Sequence, residues 1–174
     1  MYDSTHPDWQ FIESWYSDDM PREYHSTDPT DYTELINRLL NQVATNGATI
    51  VALSGELGAG KTTFTQALAR ALGVRETVRS PTFTILQRYT VDHPNFTTLY
   101  HLDAYRLSDP SELSPLGITE LFAETNSLVV IEWPEKLGIS LPAGTTYCHF
   151  TITPDEDRRI IVSDQPITTD FSDT

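Results

Sequence analysis

Cysteine, lysine and long apolar runs are all scarce in this sequence of 174 residues. Because Cys148 is the only cysteine, the chain cannot form an internal disulfide, and we expect a reducing, cytoplasmic location. No apolar run approaches the roughly 20 residues that a membrane-spanning helix needs. Residues 1–19 also lack the basic start and apolar stretch of a secretory signal. We therefore expect no association with a membrane.

Positive charge is scarce as well, since 25 acidic residues stand against 11 basic ones and the formal net charge is −14. Nine of the acids lie within residues 1–34, where Arg22 is the only base. A protein that binds nucleic acid directly normally carries a basic patch that displaces counterions from the phosphates. We therefore expect no direct contact with DNA or RNA.

Composition divides the chain into three segments. Residues 1–30 are acidic and show no sustained hydrophobic period, which predicts a disordered N-terminal arm. Residues 31–165 carry the apolar runs and are long enough for one domain with one buried core. Residues 166–174 are predicted to form a flexible C-terminal tail.

Strand and helix patterns are mixed throughout the central segment. A first helix is predicted from Asp31, as its N-cap, through the apolar positions 35–43 to Asn46-Gly47. Further helices are predicted at 61–72 and 118–124, an irregular stretch at 108–117, and strands at 49–53, 83–89, 97–102, 128–131, 145–152 and 159–163. The hairpin-like spacing of 83–102 indicates an antiparallel pair. The predicted class is α/β, with a mixed β-sheet and helices on both faces.

A glycine-rich turn separates the strand at 49–53 from the helix at 61–72. It matches the pattern GxxxxGK[ST] in full, through Gly55, Glu56, Leu57, Gly58, Ala59, Gly60, Lys61 and Thr62. The glycines let successive backbone N–H groups point at phosphates, and the N-terminus of the helix adds partial positive charge. Lys61 can reach the β- and γ-phosphates, and the hydroxyl of Thr62 can bind Mg²⁺. We assign these eight residues, a P-loop motif, and the adjacent Thr63 to nucleotide binding, and the predicted fold is that of a P-loop NTPase.

Two acids that follow predicted strands can complete a hydrolytic site. Glu132 comes directly after the apolar run LVVI, and Asp103 follows TTLYHL. The carboxyl ends of strands are where α/β sheets bind ligands. One acid can contact Mg²⁺ and the other can orient the attacking water, and the sequence leaves open which does which. We assign both, with Lys61, as catalytic, and both, with Thr62, as metal ligands. The alternative is that each simply ends its strand as a solvated or capping residue.

Two further features adjoin these acids. Ser80 and Thr82 occupy a loop that can sense the γ-phosphate through hydroxyl contacts, although an ordinary Ser-Pro-Thr turn is the alternative. Trp133 can cover the nucleotide or can be a packing residue. The five histidines, at 6, 25, 93, 101 and 149, have no metal-ligand spacing and receive no role.

Four blocks, in order and spacing, resemble the TsaE family, formerly called YjeE. The blocks are GELGAGKTTFTQALARALG, SPTFTILQRYT, LYHLDAYRL and VVIEWPEKL, and the similarity runs from about residue 31 to 163. Many NTPases share the P-loop block, whereas the ordered set with S-P-T-[FY], H-x-D-x-Y-R and E-W-P-E is much more specific. The acidic arm has no counterpart in the family.

The resemblance implies an ATPase required for threonylcarbamoyladenosine modification of tRNA, with ATP and Mg²⁺ as cofactors. Such a protein hydrolyses ATP weakly alone and acts with the TsaB–TsaD pair, so that tRNA is reached only through partners. By position, the resemblance implies a Mg²⁺-associated acid at Glu132, a second active-site acid at Asp103, a functional tryptophan at Trp133 and a switch-like loop at residues 80–82.

Two other functions remain possible on the same P-loop. One is an ATP-gated, non-catalytic switch that binds partners. The other is a small-molecule kinase, which usually needs a lid rich in arginine, and no arginine-dense segment is present.

Overall fold

Seven strands form a single sheet in the computed structural model, which describes residues 21–26, 28, 32–81 and 84–167. The strands are β1 (Arg22–Ser26), β2 (Thr49–Gly55), β3 (Leu86–Thr90), β4 (Thr98–Asp103), β5 (Ser127–Glu132), β6 (Thr146–Ile152) and β7 (Arg158–Ser163). The helices are α1 (Thr33–Asn41), α2 (Lys61–Ala71) and α3 (Ile118–Ala123), with 3₁₀ turns at Pro110–Leu116 and Pro134–Leu137. Within the described ranges, no helix is long and apolar enough to cross a membrane.

The sheet is parallel at its centre and antiparallel at its edges. Its strand order is β1-β7-β6-β2-β5-β4-β3. Strand β2 runs parallel to β5 and β6, and β4 runs parallel to β5. The outer pairs β3–β4, β6–β7 and β1–β7 are antiparallel. The predicted mixed sheet, including the antiparallel pair within 83–102, is confirmed.

Helices cover both faces of the sheet, which confirms the predicted layering. Helices α1 and α2 pack over the face that contains Val51, Leu53 and Val130. Helix α3 and the two 3₁₀ turns pack over the opposite face, with Ile50 and Ile131. Because both faces are covered, all six residues of β5 are buried, as in other parallel strands at the centre of a sheet.

The first helix is shorter than the sequence predicts. Its N-cap position is Tyr32, which makes no side-chain capping bond, and Asp31 lies outside the described residues. The helix ends at Asn41 because Gln42 leaves the helical conformation. Val43, predicted to lie on the apolar face, is therefore beyond the helix and 39% exposed.

Other element boundaries also differ from the prediction. Strand β3 begins at Leu86, because Ile85 has a φ of 64° and donates its N–H to the carbonyl of Pro81 at 2.6 Å. The alternation expected from residue 83 is thus interrupted by a turn. Residues 108–117 are not wholly irregular, since Asp109 caps the 3₁₀ turn Pro110–Leu116 by accepting from the N–H of Ser111.

The domain begins earlier than residue 31. Residues 22–26, assigned to the arm, form β1, and Tyr24 pairs with Ile160 of β7. An ion pair of 2.8 Å joins Glu23 to Arg159 across the two strands. The sequence gives little sign of this strand because only Ser26 is fully buried in it. The rest of the predicted arm, apart from residues 21 and 28, lies outside the described residues, as do residues 168–174 of the predicted tail.

Candidate nucleotide-binding and catalytic site

The carboxyl ends of β2, β4 and β5 meet the N-terminus of α2 around a cavity of about 190 Å³. The lining residues are Leu57, Gly58, Gly60, Lys61, Thr62, Thr63, Ser80, Asp103, Tyr105, Glu132 and Trp133. Most residues singled out in the sequence are therefore brought together. Ala59 is instead packed into the core, and Thr82 lies outside the described residues, so its predicted role stays a prediction.

Two glycines fix the path of the P-loop. Gly55 has a φ of 126°, and a Cβ at this position would lie 2.1 Å from the carbonyl oxygen of Phe150. Gly60 has a φ of 106°, and its Cβ would lie 2.9 Å from the hydroxyl of Tyr32. No other residue tolerates such a close approach and such a backbone conformation together. The loop therefore leaves β2 and enters α2 at positions that exclude side chains.

Lys61 is held by the loop that precedes it. Its Nζ donates to the carbonyl oxygens of Gly55, at 2.6 Å, and Glu56, at 2.8 Å. The same ammonium lies 4.0 Å from the ring centroid of Trp133. Burial lowers the pKa of Lys61, and the nearby carboxylates, of which Glu132 acts most strongly, oppose that shift. Gly55 and Glu56, which do not line the cavity, thus act on the site through their carbonyls.

Glu132 is the last residue of β5 and is 3% exposed. Its Oε2 accepts a hydrogen bond of 2.9 Å from the hydroxyl of Thr62. Its Oε1 lies 2.8 Å from Nε2 of His101 and 3.5 Å from the hydroxyl of Thr65. Buried carboxylates require such partners, because an isolated charge away from water is very costly.

Asp103 is the last residue of β4 and the register partner of Glu132. One carboxylate oxygen accepts from the hydroxyl of Ser80 at 2.7 Å, and the other accepts from the N–H of Tyr105 at 3.0 Å. The loop that contains Ser80 is thereby tied to the end of a central strand.

Two aromatic residues, Trp133 and Tyr105, line the cavity together. Trp133 adopts a left-handed conformation, with a φ of 60°, at the start of the 3₁₀ turn Pro134–Leu137. Its ring lies 5.1 Å from that of Tyr105. Lys136 donates to the carbonyl oxygen of Tyr105 at 2.7 Å, which joins the turn to the end of β4. A left-handed conformation strains the backbone of a residue other than glycine, and such strain is often found at functional sites.

The oxygen-rich end of the cavity suits Mg²⁺. The hydroxyl of Thr62 and the carboxylate of Glu132 are hard ligands at hydrogen-bond distance from each other. In the described part of the chain, no cluster of three or more His, Cys, Asp or Glu could hold a metal by itself. Mg²⁺ is usually bound through one or two protein oxygens together with substrate phosphates, and Thr62 and Glu132 supply two such oxygens.

His101 and Thr65 are site residues that the sequence did not reveal. Both are fully buried and close to Glu132. The available signal was the alternation of Leu99, His101 and Asp103, which places two polar residues on an apolar face of β4. His101 is also the first residue of the motif H-x-D-x-Y-R that carries the family resemblance, but the motif does not say which group the histidine contacts.

Comparison with known proteins adds independent information. The family model described as "Threonylcarbamoyl adenosine biosynthesis protein TsaE" matches residues 26–161. A protein from Treponema pallidum named tRNA threonylcarbamoyladenosine biosynthesis protein TsaE is 36% identical over 136 residues, which covers 78% of this chain and 93% of that protein.

A protein of the same name from Haemophilus influenzae is 42% identical over 98 residues, which covers 56% of this chain and 60% of that protein. The chain thus spans less than two thirds of the Haemophilus relative. The crystal structure of YdiB from Bacillus subtilis is similar in fold, with a TM-score of 0.64 and 28% identity, covering 86% of this chain and 90% of YdiB. The family model, the relatives and the shared fold agree over most of the described residues, and the chain belongs to the TsaE family of threonylcarbamoyl adenosine biosynthesis proteins.

Proposed function

We propose that this chain is a Mg²⁺-dependent ATPase that serves threonylcarbamoyladenosine modification of tRNA together with the TsaB–TsaD pair. The observation that carries the proposal is the hydrogen bond of 2.9 Å between Thr62 and Glu132. It joins the hydroxyl that ends the P-loop motif to an acid at the end of the neighbouring strand. P-loop NTPases hold Mg²⁺ with this pair of groups.

The P-loop binds the phosphates. Its backbone N–H groups and the N-terminus of α2 surround the anion. Lys61 transfers its ammonium from the carbonyls of Gly55 and Glu56 to phosphate oxygens. Trp133, which stacks on that ammonium, limits the access of water to it.

The two carboxylates divide the remaining work. Glu132 and Thr62 would hold Mg²⁺: the carboxylate accepts the hydrogen of the hydroxyl, and the hydroxyl oxygen would be available to the metal. When bound, Mg²⁺ would offset the negative charge that develops on the phosphates. Asp103 accepts a hydrogen bond from the attacking water and orients it toward the γ-phosphate. The hydroxyl of Ser80 and the N–H of Tyr105 hold that carboxylate at the edge of the cavity.

The loop around Ser80 provides the coupling to partners. Ser80 donates to Asp103, so a movement of the loop changes the position of the water-orienting carboxylate. Relatives are named for tRNA threonylcarbamoyladenosine biosynthesis, and the resemblance of the motifs points to TsaB–TsaD as the partner. With a net charge of −14, the chain leaves contact with tRNA to those partners. The free, buried thiol of Cys148 suits the cytoplasm.

The test is steady-state phosphate release from ATP by the chain alone and with purified TsaB and TsaD. Two variants accompany it: Glu132→Ala, and Glu120→Ala as the matched control, since Glu120 is exposed on α3 at the opposite face of the sheet. We expect the pair to stimulate the wild type and Glu120→Ala strongly and Glu132→Ala not at all.

Other outcomes point to the alternatives. If Glu132→Ala keeps nucleotide binding and supports tRNA modification in a reconstituted assay, the chain is a non-catalytic switch. If ATP consumption yields a phosphorylated small molecule in place of free phosphate, it is a kinase. If TsaB and TsaD neither bind the chain nor change its rate, the tRNA-modification role is wrong.

A further inference from the structure

His101 lies in the centre of β4 and is completely buried. Its side chain shares the α2 face of the sheet with Leu99, which belongs to the core beneath α1 and α2. Its Nε2 is 2.8 Å from Oε1 of Glu132. Among the described residues, its Nδ1 has no hydrogen-bond partner. The contact with Glu132 is therefore the polar interaction that explains a histidine at this apolar position.

Few hydrogen-bond donors surround Glu132, and its Oε1 needs the donor that His101 supplies. The hydroxyl of Thr62 serves Oε2. The hydroxyl of Thr65 has a single hydrogen, and it lies 3.0 Å from the carbonyl oxygen of Lys61 but 3.5 Å from Oε1. The shorter contact is the better hydrogen bond. Oε1 consequently depends on the imidazole for its donor.

One tautomer of the imidazole satisfies this arrangement. A ring that carries a hydrogen on Nε2 donates it to Oε1 of Glu132. The same orientation directs Nε2 at the carboxylate, so His101 does not itself contact a metal placed between Thr62 and the phosphates. Its action on the site passes through Glu132.

We propose that His101 is the positioning residue of Glu132. Its hydrogen bond to Oε1 fixes the rotation of the carboxylate, so that Oε2 stays beside Thr62 and is ready for Mg²⁺. This inference rests on the proposed function in one respect, namely that Glu132 serves the metal. Loss of such an outer partner typically costs about 10- to 100-fold in metal affinity.

The experiment measures how ADP binding depends on Mg²⁺, which requires no hydrolysis. ADP affinity is measured by calorimetry in EDTA and over a series of Mg²⁺ concentrations, and the Mg²⁺ midpoint is compared between variants. His101→Leu removes the donor at similar volume, and His101→Gln replaces it with an amide N–H that can reach Oε1. Leu99→Ala, two residues away on the same buried face, is the control for damage to the strand.

We expect His101→Leu to raise the Mg²⁺ midpoint by about 10- to 100-fold and to leave ADP affinity in EDTA within about twofold. His101→Gln should recover much of the loss. Leu99→Ala should lower the thermal midpoint of unfolding but leave the Mg²⁺ midpoint unchanged. In a Glu132→Gln background, His101→Leu should add nothing, because the carboxylate that it positions is gone. If His101→Leu does not fold, His101→Asn provides the same test, since its amide is too short to reach Oε1.

Either of two results with the variants would overturn the inference: a folded His101→Leu or His101→Asn protein with the wild-type midpoint, or an equal effect of His101→Leu in the Glu132→Gln background. Wild-type ADP affinity that does not depend on the Mg²⁺ concentration would overturn it as well, because Glu132 would then bind no metal. A shifted midpoint in a protein that never releases phosphate, even with its partners, would support the role of His101 and reject only the ATPase proposal.

Discussion

Glu132 and Asp103 end adjacent parallel strands, face the same cavity and are equally buried, each at 3% exposure. They differ in what holds them. Glu132 is hydrogen-bonded to Thr62 on α2 and to His101 on β4, and both partners lie in regular secondary structure. Asp103 is bonded to Ser80, in the connection between α2 and β3, and to the backbone of Tyr105.

This difference suits two different tasks. A metal ligand benefits from a fixed position, which packed helices and strands provide. A group that must respond to a partner benefits from a link to a loop, because loops change conformation at low cost. Under the proposed function, Glu132 would therefore bind the metal in a fixed position, and Asp103 would be the acid that partners regulate.

The largest expected effect is that of Glu132→Gln. We expect partner-stimulated phosphate release to fall by about 10³-fold, at the upper end of the cost of removing one pre-organised electrostatic group. The amide has the size of the carboxylate but lacks the charge that Mg²⁺ requires. ADP affinity in EDTA should stay within about twofold of the wild type. An equal loss of metal-free affinity would show that Glu132 supports the P-loop itself.

Asp103→Asn should have a smaller effect of a different kind. We expect phosphate release to fall by about 10²-fold, the lower end of the contribution of a general base. The Mg²⁺ midpoint for ADP should not change, because in the proposed site the metal is held by Glu132 and Thr62. The amide oxygen still accepts from Tyr105, while the water-orienting charge and the acceptor for the hydroxyl of Ser80 are lost. If the midpoint rose as much as in Glu132→Gln, the distinction between the two acids would fail.

The pH dependence of ADP binding provides a third comparison. Burial lowers the pKa of Lys61 below its ordinary value of 10.5, and Glu132 opposes this shift more than Asp103 does. Since the charged ammonium attracts phosphates, ADP affinity in EDTA should be full below the lowered pKa. It should fall as pH rises through that pKa, by at most about tenfold per pH unit.

The same titration separates the two acids. Glu132→Gln should move the fall in affinity to lower pH, and Asp103→Asn should move it less. Lys61→Arg is the control, because a guanidinium stays protonated throughout this range and should give a flat profile. Equal displacements in the two acid variants would contradict the stronger coupling of Lys61 to Glu132.

Ser80→Ala should have the smallest effect. It removes the hydrogen bond of 2.7 Å to Asp103, and we expect partner-stimulated phosphate release to fall by roughly 5-fold, the equivalent of about 1 kcal/mol. The Mg²⁺ midpoint should be that of the wild type. Phosphate release by the chain alone should change less than the stimulated rate, and a loss confined to the unstimulated rate would separate Ser80 from the coupling to partners.

Local patterns predicted much of this architecture. The P-loop could be placed because a strand, a glycine-rich turn and a helix follow one another directly, and each has its own sequence signal. Glu132 and Asp103 could be placed at strand ends because apolar runs precede them. The fold class followed from the mixture of strands and helices.

The remaining features depend on contacts between distant parts of the chain. The proximity of His101 to Glu132 follows from the register of β4 against β5, which the sequence does not state. The existence of β1 follows from the free edge of β7. Helix α1 ends at Asn41 because Gln42 leaves the helical conformation. The apolar pattern of the helix continues to Val43 and does not indicate this end.

The pairing of β1 with β7 has a consequence for synthesis on the ribosome. Arg22 pairs with Val162, so β1, the first described strand to leave the exit tunnel, cannot pair until β7, the last described strand, has also left it. Until then the amides of β1 are satisfied by water, and β6 has no partner on its outer side. The central strands and α2 can assemble earlier, whereas this margin of the sheet closes only after translation has passed residue 163. Nascent chains stalled before that point would thus carry a formed P-loop beside an unclosed edge.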